Sequence, residues 1–363
     1  MAERMPMPSS DRATIVPPPS TTVLVTGACG FVASHVILEL LRTTDLQVRG
    51  TVRSLHARPK FVHLLNMPGA SSRLELVEAD LLDAACWPAA VDGCAAVLHI
   101  ASPYVLTVND PLRDLVEPAE RGTEHVLRAA IAAKIEHILV TSSIAAIADA
   151  PEHGKVFTEA DWNTRSSLTR LPYYYSKVRA ETKAWELVRA APQPTRLVVL
   201  NPAMVIGPSM TNTLNESVRH VIDPLRGNVP ALVQISYGLV DVRDVATAHV
   251  RALVDTSVHG RHILVADVWD MDQVVRFYRR RYPNAAKALP SLSAPNWAVS
   301  VLAHFKPQGP RQYLQANIGH GKYAFSNTKS IETLHMTYRP VEISLADTVQ
   351  DSLQWGFIPQ SKL

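Results

Sequence analysis

From residue 21 onward, short apolar runs rich in β-branched residues alternate with longer stretches whose apolar positions fall three and four apart. The first kind reads as strands buried on both faces, the second as amphipathic helices. Strands are predicted at 22–26, 47–52, 74–78, 95–100, 137–141 and 196–200. Helices are predicted from Gly30 to about Arg42, around 60–66 and 86–91, and over 112–133 and 173–190. In the 112–133 stretch, Val116, Ala119, Thr123, Val126 and Ala130 share one face. Strand–helix alternation of this kind predicts an α/β fold with a doubly wound parallel sheet of the Rossmann type.

The pattern loosens after Asn201. Residues 203–237 are rich in turn formers, and 283–320 hold several prolines and glycines and resist assignment. Order returns with strands at 239–242 and 262–266 and helices at 243–255, 271–282 and 344–353. The expected organisation is a disordered tail at 1–20, a dinucleotide-binding domain at 21–200 and 238–270, and a smaller discontinuous substrate lobe at 201–237 and 271–363.

Composition adds bounds. With 363 residues, 47% hydrophobic and 19% charged, the chain has material for a sizeable core. A net charge of +3 is too small to argue for a nucleic-acid partner. Arg276, Arg279, Arg280 and Arg281 are spaced as a solvated helix face. Cys29, Cys86 and Cys94 make an odd count without metal-ligand spacing, so no metal is expected and a reducing compartment is. Residues 1–20 carry five prolines and no apolar core of a secretory signal. No run is long enough to span a bilayer. The expectation is a cytoplasmic protein, monomer or homodimer, without membrane contact.

The chemistry begins at Val23-Leu24-Val25-Thr26-Gly27-Ala28-Cys29-Gly30-Phe31-Val32-Ala33. Gly27 and Gly30 let the backbone turn sharply and approach a ligand. The following helix points free N–H groups and its positive end at that ligand, which suits a pyrophosphate. The small Ala33 would let helix and strand lie close. An ordinary strand–turn–helix would read the same way locally.

At the end of the second strand no acidic residue occurs between Asp45 and Glu75, and Arg53 stands where a ribose 2′-phosphate would lie. That favours NADPH over NADH, with Arg58 or Lys60 adding charge. A solvated strand-end arginine is the other reading. Asp80 either accepts from an adenine amino group or caps a helix. Ala101 and Ser102, at the end of the fourth strand, are small enough to let a cofactor pass. The fifth strand ends in Thr141, Ser142 and Ser143, facing the same crevice. Tyr173 and Lys177, four apart, share a helix face. A phenol is a weak acid, with an ordinary pKa near 10, and a neighbouring ammonium favours its phenolate. Tyr173 could then exchange a proton with a carbonyl or alcohol oxygen while Ser143 holds that oxygen.

With these residues in order, the chain resembles an extended short-chain dehydrogenase/reductase, and within it the dihydroflavonol-reductase-like and fungal methylglyoxal (aldehyde/ketone) reductase group. Matching stretches are 25–33, 98–103, 139–143, 173–177, Asn201 to Pro208 and 240–246, with a weaker one at 325–329. The resemblance implies a catalytic triad of Ser143, Tyr173 and Lys177. It implies Lys177 at the nicotinamide ribose, Phe31 and Val32 at the pyrophosphate, and Arg53 at the 2′-phosphate. Asp80 and Leu81 fall at the adenine, and Asn201 and Pro202 beside the nicotinamide. Tyr104, Ile144, Met204 and Tyr237 are read as substrate wall, or else as lobe packing. The run Tyr173-Tyr174-Tyr175 leaves the choice of tyrosine resting on its spacing to Lys177. Residues 306–323 have no clear family counterpart and read as a lid, a dimer element or an insertion. The implied activity is NADPH-dependent reduction of a ketone or aldehyde. A nucleotide-sugar epimerase or dehydratase is the alternative, and a non-catalytic NADPH sensor a third.

Overall fold

The computed structural model describes residues 21–102, 108–305 and 308–360. The expected tail at 1–20 and Tyr104 lie outside the described residues. The six anticipated strands are β1 (Thr22–Val25), β2 (Gln47–Val52), β3 (Leu74–Glu78), β4 (Cys94–His99), β5 (His137–Thr141) and β6 (Arg196–Pro202). With β9 (Gly260–Leu264) they form one seven-stranded sheet in the order β3-β2-β1-β4-β5-β6-β9. Every pairing in it is parallel.

Alternating side chains explain why the strands read as continuous apolar runs. Leu24, Val97, Ile138 and Val199 face one way, into a core shared with Val126, Leu127 and Ala130 of helix Glu117–Ala132 and with Ala184 of helix Pro172–Arg189. Val23, Val25, Leu98, Leu139 and Val198 face the other, against helices Phe31–Thr43 and Val242–Val254. Covered on both faces, the sheet has no solvated side to impose polar alternation. Strand order reverses between β1 and β4, which opens a crevice at their carboxyl ends.

Three strands form a second sheet: β7 (Met204–Ile206), β8 (Ser236–Asp241) and β10 (Asp267–Asp270), in the order β10-β8-β7. Helices Glu216–Arg226, Met271–Arg281 and Val341–Gln354 close a separate core on it, around Ile222, Leu239, Val275, Tyr278 and Leu345. The segment 238–270 is therefore divided. Helix Val242–Val254 and β9 complete the main sheet layer, whereas β8 and β10 belong to the second sheet.

Several elements went unanticipated. β7 has three residues and β10 four, too short to show a period. Helix Glu216–Arg226 contains Pro224, placed in its last turn. Helices Asn296–Ala303 and Gln308–Asn317 lie in the Pro- and Gly-interrupted stretch. The helix expected at 60–66 is instead a 3-10 turn, Arg58–Lys60, followed by one helical turn, Val62–Leu65. Among the described residues, no helix is long and apolar enough to cross a membrane.

Candidate active site

A cavity of about 1830 Å³ begins at the glycine turn after β1 and runs along the carboxyl ends of the main strands into the space beneath the second sheet. At its start Gly27 has φ +67, and a Cβ there would come 2.8 Å from that of Ala101. Only glycine satisfies both the backbone and the close approach. The Gly30 amide donates to Gly27 O at 2.8 Å, closing the turn. Helix Phe31–Thr43 then starts with no side-chain cap and no acidic residue in its first turn. Its positive end is left for an anion. Gly27, Gly30, Phe31, Val32 and Ala33 all line the cavity, so the loop fits a dinucleotide pyrophosphate.

Arg53 lies just beyond β2, exposed, at the cavity rim with Lys60. No ion pair among the described residues engages its guanidinium. Asp80 and Leu81 also line the cavity. The Asp80 carboxylate accepts from the Leu82 amide at 2.8 Å in a local turn at the cavity edge, but the next short helix, Ala84–Cys86, is capped by Asp83 and not by Asp80. Ala101 and Ser102 lie in the wall between this end and the next.

Ser143, just beyond β5, and Tyr173 and Lys177, in the first two turns of the helix Pro172–Arg189, line the same cavity. Proline at the first helical position starts that helix at no hydrogen-bonding loss. One turn separates Tyr173 from Lys177, and the ammonium lies 5.6 Å from the tyrosine ring centre. Lys177 is buried, and loss of hydration brings its pKa down to about 8. Beneath it, burial and then the lysine charge lower His99 to about 3, so that imidazole is neutral. His99 is held between the hydroxyls of Thr26 and Thr123. Ser143 Oγ accepts from the Ala145 amide at 3.1 Å, which leaves its proton to donate. The three tyrosines separate by position. Tyr173 and Tyr174 line the cavity, whereas Tyr175 receives a hydrogen bond from Arg179 at 3.1 Å.

Asn201 and Pro202 part company. Pro202 lines the cavity, but Asn201, read from the resemblance as a cofactor contact, is fully buried behind the wall. Its Nδ2 donates to Ser143 O at 3.1 Å and to Glu181 Oε2 at 2.9 Å. Glu181 is the residue the sequence reading missed. It also accepts from Ser142 Oγ at 2.6 Å and from Arg261 Nε at 2.6 Å. Arg261 in turn donates to the carbonyls of Glu159 and Asp161 and stacks 4.1 Å over Trp162. The signal was present: Glu181 lies four residues after Lys177 on the same face, and an arginine interrupts the apolar strand β9.

Ile144, Met204 and Tyr237 line the deeper part of the cavity. Burial pushes the Tyr237 phenol well above its ordinary range. His220, Tyr313, Val299 and Leu302, from elements the pattern did not reveal, extend that chamber.

Residues 23–266 match the family described as the NAD dependent epimerase/dehydratase family. The chain belongs to that family. Among its relatives, cinnamoyl-CoA reductase CAD2 of Medicago truncatula is 35% identical over 90% of this chain and 94% of its own. Ketoreductase azaE of Aspergillus niger is 29% identical over 92% and 97%. Gre2 from Candida albicans, solved in complex with NADPH, superposes with a TM-score of 0.76 at 30% identity, over 92% of this chain and 99% of its own. Within the NAD dependent epimerase/dehydratase family these matches make the chain an oxidoreductase of the extended short-chain type.

Proposed function

We propose that the chain is an NADPH-dependent reductase of a ketone or aldehyde carbonyl. The observation that carries this reading is the half-buried Tyr173 beside the buried Lys177, in the wall of the cavity that begins at the glycine turn. Gly27, Gly30, Phe31 and Val32 would hold the pyrophosphate and Arg53 the 2′-phosphate. Asp80 and Leu81 would border the adenine, Ala101 and Ser102 the middle of the cofactor, Lys177 the nicotinamide ribose and Pro202 the nicotinamide. Bound NADPH supplies the hydride that reaches the carbonyl carbon. Tyr173 gives its phenolic proton to the carbonyl oxygen, so that hydride and proton together turn C=O into CH–OH. Ser143 donates a hydrogen bond to that oxygen, and the bond strengthens as negative charge develops. Lys177 stabilises the phenolate left on Tyr173. Ile144, Met204 and Tyr237 shape the substrate chamber. Free Cys29, Cys86 and Cys94 suit a reducing cytoplasm.

The test is loss of NADPH absorbance with a panel of aldehydes, diketones and aromatic ketones, for the wild-type chain and Tyr173→Phe. The substitution is expected to lower turnover roughly 10²–10⁴-fold, the usual worth of general acid catalysis. Equal turnover in the two chains would remove Tyr173 from this role. An epimerase or dehydratase would recycle its cofactor, so stoichiometric NADPH loss separates the two chemistries.

A further inference from the structure

The helix that carries Tyr173 begins under backbone strain. Leu171, its cap residue, has φ +51 and ψ 61. This is the left-handed region that residues with a Cβ rarely adopt. As a helix cap, Leu171 has no intrahelical partner for its N–H. The partner comes from 141 residues away. Gln312, in helix Gln308–Asn317, accepts from the Leu171 amide through Oε1 at 3.0 Å and donates through Nε2 to Thr169 O at 2.5 Å. One side-chain amide thus grips both ends of the turn at residues 169–171. The Leu171 carbonyl accepts from the Tyr175 amide at 3.1 Å, so the same residue fixes the first turn of the helix that contains Tyr173. Next along, the Tyr313 ring packs 6.5 Å from Tyr174 and 6.4 Å from His220, all three in the cavity wall. Gln312 itself is not among the residues that line the cavity.

We infer that Gln312 is a positioning residue, which holds Leu171 in its left-handed conformation and thereby aims Tyr173 at the carbonyl oxygen. This role rests on the reading of Tyr173 as proton donor. It also gives a purpose to part of the 306–323 segment, for which no family counterpart was expected.

The test compares the full-length wild-type chain with Gln312→Ala, Leu171→Gly and the double variant. Turnover, KM, NADPH affinity by fluorescence, and amide hydrogen exchange over residues 167–176 are measured for each. Glycine enters the left-handed region freely, so it makes a clamp on residue 171 redundant. Gln312→Ala is expected to lower kcat by about tenfold to a hundredfold, as small misplacements of a reacting group do. NADPH affinity should stay within about twofold and exchange at the Leu171 amide should quicken. In the Leu171→Gly background, the same substitution should cost less than about threefold, a coupling that distant independent sites would not show. Wild-type turnover and exchange in Gln312→Ala would overturn the role, as would an equal loss in both backgrounds. If the wild-type chain reduces no carbonyl, the reading of Tyr173 fails and the aiming role falls with it. Exchange then judges the clamp alone: quickening supports it, and no change overturns it.

Discussion

The Lys177 ammonium lies 5.6 Å from the centre of the Tyr173 ring, in a pocket dry enough to bring the lysine down to about pKa 8. The charge that favours the phenolate is therefore present below pH 8 and lost as pH rises through that value. His99, already neutral, does not titrate in this range. Reduction should follow the charge: kcat/KM for NADPH is expected to fall above about pH 8, because this parameter reports ionisations of the free enzyme. An arginine keeps its charge beyond pH 12. Lys177→Arg should thus show a lower rate but no decline near pH 8. A pH–rate profile from 6 to 10 checks both. The same inflection in the two chains would assign it to another group.

The same burial has a cost in stability. Folding lowers the Lys177 pKa from its ordinary 10.5 to about 8. Between those values the unfolded chain binds more protons, so stability should rise with pH across that window. Below it the folded protein carries a poorly hydrated cation, at a cost on the order of 3 kcal/mol. Lys177→Met should accordingly raise resistance to urea at pH 7 while abolishing turnover, and the gain should shrink towards pH 10. A variant less stable at pH 7 would show that contacts of the ammonium outweigh its lost hydration.

Arg53 stands exposed at the opposite end of the cavity, with Lys60 beside it at the rim. A charge-assisted hydrogen bond to a phosphate contributes about 1.5–3 kcal/mol. Arg53→Glu removes it and adds repulsion, so NADPH affinity should drop by roughly 10- to 100-fold. NADH, which lacks the 2′-phosphate, should be affected much less. Fluorescence titration with both cofactors measures the ratio, and an unchanged preference would rule Arg53 out.

What the sequence disclosed follows from the range of each interaction. The main strands were legible because both faces of the sheet are covered, so β1, β4, β5 and β6 carry unbroken apolar runs, with polar residues only towards their ends. The glycine turn and the Tyr173–Lys177 pair were legible because each is complete within a few residues. Asn201 shows the limit. Reading it as a strand-end residue put it at the crevice, but along β6 Pro202 meets the cavity while the Asn201 amide turns to Ser143 and Glu181. The second lobe was obscure because its sheet is assembled from strands as short as three residues, drawn from three separate stretches. Gln312 and Leu171, 141 residues apart, share no local pattern at all.

Glu181 and Arg261 are another long-range pair, 80 residues apart and sealed from solvent at 1% and 6% exposure. Their 2.6 Å ion pair stands behind Ser142 and Asn201, and so behind the backbone of Ser143. Breaking a buried pair from one side leaves an uncompensated charge, which costs about 3–5 kcal/mol. Glu181→Gln and Arg261→Met should each be destabilised by that order, measured by urea unfolding. The double variant Glu181→Gln/Arg261→Met leaves no lone charge and should recover much of the loss. Its turnover should nevertheless stay below that of the wild-type chain, because a neutral amide in place of the Glu181 carboxylate would hold Ser142 and Asn201 less strongly. Additive losses in the double variant would mean that the two side chains act independently, and full turnover would mean that the pair supports the fold without shaping the serine.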